Sequence, residues 1–161
     1  MRAIWKKTSH VRLTAFETRP QKDAMPNPPP PSYEAETEGI VIRVRPKFLH
    51  DESEPAKWRY VWAYTVEIEN HSSLTWTLVL RRWQIVDSLG RTQSVVGEGV
   101  VGQQPTLAPG ESFRYTSGAP LAAPSGMMSG SYEFEDSEGA RIEAMIPAFS
   151  LDSPYDRARP S

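Results

Sequence analysis

The 161-residue chain has no cysteine. That excludes a disulfide scaffold, a thiolate-ligated zinc or iron–sulfur centre and a cysteine nucleophile, and it suits a reducing cytoplasm. Long apolar runs are missing too: none approaches the roughly eighteen residues that a membrane-spanning helix needs. The first twenty residues, MRAIWKKTSHVRLTAFETRP, have basic positions but neither a continuous apolar core nor a small-residue cleavage site, so they do not read as a signal peptide. Histidine is scarce, present only as His10, His50 and His71. Long helices are disfavoured as well, because fifteen prolines and ten glycines punctuate the chain.

Charge is near balance overall but unevenly spread. Residues 1–31 hold six Lys/Arg against two Asp/Glu, a net +4; the remaining twelve against eighteen give −6. An acidic globular part argues against nucleic acid as a partner, since phosphate attraction needs basic surface. Residues 1–33 read as a basic, proline-rich extension, with Ile4-Trp5, Val11, Leu13 and Phe16 scattered ahead of Pro28-Pro29-Pro30-Pro31. Such a run suits an extended spacer and offers no donors to a sheet. Met25 just before it leaves room for a later translation start. Residues 34–161 are the expected folded domain.

From Gly39 onward the pattern is β. Ile40, Ile42 and Val44 share one strand face, and Pro46 is expected to interrupt that strand's pairing. In Tyr60–Asn70, the residues Tyr60, Trp62, Tyr64, Val66 and Ile68 alternate with Val61, Ala63, Thr65, Glu67 and Glu69, which predicts one buried and one wet face. Thr75–Asp87 changes parity between Leu80 and Trp83, and a bulge near Arg81-Arg82 resolves that. Turn signals at Asp87–Arg91 and Ser137–Gly139 predict hairpins, and Pro147 is expected to stop the last strand. About seven short strands at this spacing predict an all-β, antiparallel two-sheet sandwich of the immunoglobulin or fibronectin type III kind.

Gly97-Glu98-Gly99-Val100-Val101-Gly102 matches the dinucleotide-binding pattern G-x-G-x-x-G letter for letter. In that setting a helix must follow and receive the pyrophosphate. Here Pro105 and Pro109-Gly110 follow within eight residues, so no crossover helix forms. Two readings remain for the loop. Glycines can present successive backbone N–H groups to a phosphate, with Arg82 or its neighbours Arg81 and Arg91 adding charge, although Glu98 opposes an anion. Alternatively they permit positive φ in a tight crossing between the sheets, with Val100 and Val101 buried.

Other chemistry is thin. No serine sits in a G-x-S-x-G elbow, and no histidine has an evident acid or nucleophile partner, so no catalytic residue and no cofactor is expected. His50, Asp51 and Glu52 are weak metal candidates, because ligands for one ion seldom come from consecutive residues. Among the aromatics, Trp58, Trp62, Trp83, Tyr60, Tyr64, Tyr115 and Tyr132 read as core, while Trp76 beside the Ser72-Ser73-Leu74 turn reads as exposed.

The residues Arg59–Val66 with Ile68-Glu69-Asn70, Arg82-Trp83, Asp87–Arg91 and Gly97–Gly102 with Gln104-Pro105 form one ordered set. It continues through Pro109-Gly110-Glu111, Tyr115–Gly118, Pro124, Gly126, Met128, Gly130, Tyr132 and Ile146-Pro147. In this the chain resembles the ApaG family of small bacterial proteins, from about Glu38 to Leu151. Ala123 departs from the family's usual threonine before Pro124. The resemblance implies a fibronectin type III-like sandwich, a cytoplasmic location and a genetic link to cobalt and magnesium homeostasis, with no enzymatic mechanism. It also implies a role in binding, since the domain occurs fused to partner-binding modules. The expected function is a non-catalytic module that binds another protein, with a homodimer through an edge strand as one arrangement and no nucleic acid or membrane. The alternative is a sensor holding a phosphate compound or nucleotide at Gly97–Gly102.

Overall fold

The computed structural model describes residues 32–156. The leader through Pro31, with His10 and its apolar positions, lies outside them. The described residues form nine strands: β1 (Tyr33–Thr37), β2 (Ile40–Phe48), β3 (Tyr60–Asn70), β4 (Trp76–Asp87), β5 (Thr92–Glu98), β6 (Thr106–Leu107), β7 (Ser112–Leu121), β8 (Gly126–Glu135) and β9 (Arg141–Leu151). All pair antiparallel, in sheets ordered β1-β2-β3-β7 and β5-β4-β8-β9. The short β6 pairs with β4 at Trp76 and Thr77, beyond the end of β5. This is the expected two-sheet sandwich, with β1 added at the start and β6 in the middle.

The period-two pattern explains the core. Ile40, Ile42, Val44, Trp62, Tyr64, Val66 and Ile68 from one sheet meet Leu78, Trp83, Ile85, Tyr132, Phe134, Ile146 and Phe149 from the other, all buried. Each such side chain contributes about 1.5–3 kcal/mol. The outer face of β3 is wet only toward its end. Val61 and Ala63 are buried under Leu49, where Ser53 accepts a hydrogen bond from the Val61 N–H and donates to the Leu49 carbonyl. Further along, Arg43 bridges Glu34, Glu67 and Glu69 at 2.7–3.1 Å.

Pro46, expected to interrupt its strand's pairing, and Pro147, expected to stop the last strand, both lie inside strands. Pro46 pairs opposite Tyr64, beyond the point where β1 ends at the Tyr33–Val44 pair, so among the described residues β2 has no neighbour there on its other side. A residue without an N–H is tolerated at such an edge. Pro147 falls where the β8–β9 register shifts between Met128 and Gly130, and this bulge absorbs it.

The parity change in β4 is real: its register against β8 shifts between Leu78 and Leu80. Trp76 and Leu78 point inward before the bulge, Trp83 and Ile85 after it. Arg81, two residues before Trp83, therefore belongs to the inner face, while Arg82 belongs to the outer one.

Asn70 holds the two sheets at one end. It is wholly buried, and its side-chain amide donates to the carbonyls of Leu74 (2.7 Å) and Leu107 (2.9 Å). Its side-chain oxygen accepts from the Ser72 N–H and hydroxyl at 2.9 and 2.6 Å. Its own N–H donates to the Glu111 carbonyl, and its carbonyl accepts from the Gly110 N–H. One side chain thus ties the β3–β4 crossing to the β6–β7 crossing.

Candidate functional site

The two long sides of the sandwich differ. On one side β1 lies against β9: the Met145 N–H donates to the Thr37 hydroxyl at 3.1 Å and the Ser150 N–H to the Tyr33 hydroxyl at 3.5 Å. The rings of Tyr33 and Phe149 pack with centroids 6.1 Å apart. On the other side the edge strands β5 and β7 leave an opening. A cavity of about 830 Å³ enters there, bounded by Tyr64, Arg81, Val95, Gln104, Tyr115 and Ser117 among others. A smaller one of about 250 Å³, lined by Gln93, Pro120 and Leu121, continues along the same side. Arg91 bridges the opening at this second cavity, its guanidinium donating to the Ala122 carbonyl at 3.0 Å.

The glycine-rich segment forms the rim of this cleft. Gly97 and Glu98 belong to β5, and the chain returns to the same strand β4 through β6. The segment is therefore an excursion within one sheet, not the crossing between sheets expected from the sequence; the crossing comes later, at residues 108–111. Val100 and Gln103 exchange two main-chain hydrogen bonds of 2.8 Å. Between them Val101 (φ +43°) and Gly102 (φ +79°) both take positive φ, as a type I′ turn demands. Val100 is buried and Val101 half-buried.

These bonds take up three of the amides that an anion cradle could use. The N–H groups of Gly99, Val100 and Gln103 donate to the carbonyls of Val79, Gln103 and Val100. Gly97 is paired with Arg81 in the ladder. What Gly97 supplies instead is space, since a Cβ there would lie 2.8–2.9 Å from the Arg81 guanidinium. Arg81 donates from Nη1 to the carbonyls of Glu98 and Gly99, both at 2.9 Å, and so holds the rim in place.

Arg82, the arginine singled out from the sequence, does not reach the loop interior. It sits on the outer face, paired with Glu133 at 3.1 Å and Glu143 at 3.7 Å. The bulge in β4 decides this, because one extra residue exchanges the faces of two adjacent arginines.

The cleft floor is polar within an otherwise apolar core. Tyr64 pairs with Ser117 across β3 and β7, and their side chains are hydrogen-bonded. The hydroxyls of Tyr115 and Tyr132 bond to each other. Burial pushes all three phenols well above the ordinary tyrosine range, with nearby Arg81 only partly offsetting it. All three therefore stay protonated, as neutral hydroxyls, at neutral pH.

The remaining candidates fall elsewhere. His50, Asp51 and Glu52 form a single 3-10 turn that covers the outer face of β3, with the His50 ring edge-on to Phe48 at 5.0 Å. Among the described residues no group of three or more His, Asp or Glu is arranged to hold a metal ion. Trp76 is buried, not exposed, and its indole N–H donates to the Ser72 hydroxyl at 3.1 Å. Among the described residues the exposed tryptophan is Trp58, 60% accessible and at φ +55°. Among the described residues no helix is long and apolar enough to cross a membrane.

Comparison with known proteins agrees with this architecture. The family model described as the ApaG domain matches residues 50–136. The chain is 54% identical over 125 residues to Protein ApaG of Maricaulis maris, covering 78% of this chain and 96% of that one. It is 52% identical over 129 residues to Protein ApaG of Rhodospirillum centenum, covering 80% and 99%. The crystal structure of the ApaA protein from Bordetella pertussis superposes with a TM-score of 0.69 at 44% identity, covering 72% of this chain and 94% of that one.

Proposed function

The chain belongs to the ApaG family, and on that footing we propose that it is a non-catalytic, cytoplasmic module that takes an extended segment of another protein into the β5–β7 cleft. The carrying observation is the edge of β5. From Thr92 to Gly97 this strand has neither a charged residue nor a proline, and β4 is its one sheet neighbour among the described residues. Proteins ordinarily protect such an edge with lysine, proline or a covering element, because its free N–H and C=O groups template another strand. An unprotected edge beside an open cleft suits strand addition, in which main-chain bonds supply affinity and pockets supply specificity. The family's link to cobalt and magnesium homeostasis then runs through a bound protein, with the metal ion handled elsewhere.

The test uses a randomised peptide display library and the full chain. Selected peptides should lose at least about tenfold in affinity, or roughly 1.4 kcal/mol, for Gln104→Trp. Gln104 is exposed on the cleft rim, where its side-chain amide donates to the Val79 carbonyl at 3.1 Å. The variant therefore fills the entrance at the loss of one exposed hydrogen bond and leaves the core side chains in place. Undiminished binding by that variant, with its melting temperature unchanged, places the peptides on another surface and refutes the reading.

A further inference from the structure

Arg81 is an unusual residue to find on the inner face of a sandwich. The residue is half-buried and shares the cleft lining with Tyr64, Tyr115 and Ser117. Yet among the described residues it makes no ion pair; its partners there are the two rim carbonyls, both taken by Nη1. Three other arginines of the sheets are neutralised: Arg43 by Glu34, Glu67 and Glu69, Arg82 by Glu133 and Glu143, Arg141 by Glu133 and Glu135. The one carboxylate among the cleft-lining residues is Glu98. In the ladder Glu98 stands opposite Leu80 and Gly97 opposite Arg81, so the Glu98 side chain lies on the other face of the strand pair. A charge removed partly from water without a counter-charge is costly, and supplying the counter-charge recovers that cost.

We infer that Arg81 seats a carboxylate side chain, Asp or Glu, of the protein segment bound in the β5–β7 cleft. The guanidinium offers Nη2 and Nε, and the floor beside it carries the hydroxyls of Tyr64, Tyr115 and Ser117. A carboxylate takes two parallel N–H bonds from a guanidinium and further bonds from hydroxyls. The rim carbonyls orient the fork before the ligand arrives, and the missing Cβ at Gly97 makes room for that orientation. This assignment rests on the cleft being the site of segment binding.

The peptides selected on the full chain carry the test. They should share one acidic position, and changing it to Gln or Asn in the peptide should weaken binding about tenfold or more. This arm leaves the protein untouched, so folding does not enter. Arg81→Gln should weaken the acidic peptide by a similar factor and make the peptide's own substitution neutral; Arg81→Lys should recover part of the loss. Cleft-bound peptides, blocked by Gln104→Trp, that have no shared acid and ignore Arg81→Gln overturn the seat while leaving the cleft intact. Peptides indifferent to Gln104→Trp overturn both. Inorganic pyrophosphate serves as the competing source of negative charge: binding that Arg81→Gln abolishes, with no acidic peptide bound, assigns Arg81 to a free anion and overturns the proposal.

Discussion

Gly99→Ala is expected to lower stability by about 3 kcal/mol, read as a shift of the denaturant midpoint at unchanged slope. Gly99 takes φ +59°, and a Cβ there would lie 2.1 Å from the Gln103 carbonyl oxygen. The left-handed conformation alone costs an alanine about 1–2 kcal/mol. Relieving the overlap must also break the pair of bonds between Val100 and Gln103 or pull buried Val100 from the core. If the glycines also formed an anion cradle, the same substitution would remove anion affinity in addition to stability. A variant that retains the wild-type midpoint contradicts the structural role assigned to the rim.

Asn70→Ala should cost more, about 4 kcal/mol. The side chain makes four hydrogen bonds from a fully buried position, and removing it strands the carbonyl of Leu107, whose residue is itself buried. Each lost partner of a buried polar group costs about 1–3 kcal/mol. Asn70→Asp keeps the shape but has no donor for the two carbonyls and brings a negative charge toward them, so it should rescue nothing. Ser72→Ala, which removes one of the four bonds and the acceptor of the buried Trp76 indole N–H, should cost about 2 kcal/mol. Equilibrium unfolding of the three variants orders them; an Asn70→Ala protein within 1 kcal/mol of wild type would remove this clamp from the explanation of the fold.

What could be read from the sequence followed the strength of local alternation. β3 was legible to both ends because eleven residues keep one parity and a polar turn follows. β1 was not, since Tyr33-Glu34-Ala35-Glu36-Thr37 offers little apolar surface; it becomes a strand through pairing with β2 and the grip of Arg43 on Glu34. Trp76 looked exposed because its neighbours in sequence are polar. Its burial comes from Leu107, thirty-one positions away, which pairs with it in the ladder.

The site shows the same division. The bulge in β4 was visible as a change of parity, yet its position within one residue was not. That single residue decides whether Arg81 or Arg82 faces the cleft. The glycine pattern lies at the cleft, where it shapes the rim and makes room for Arg81. That the sandwich is closed between β1 and β9 but open between β5 and β7 depends on which strands become edges, and no local pattern encodes that.

Hydrogen–deuterium exchange on the full chain, with and without the tightest selected peptide, addresses strand addition most directly. The outward-facing amides of β5, those not bonded to β4, should exchange readily in the free protein and slow by about tenfold or more when peptide is bound. Unchanged exchange along β5, with new protection confined to the outer sheet face around Met127 and Met145, would contradict binding at the open side of the sandwich.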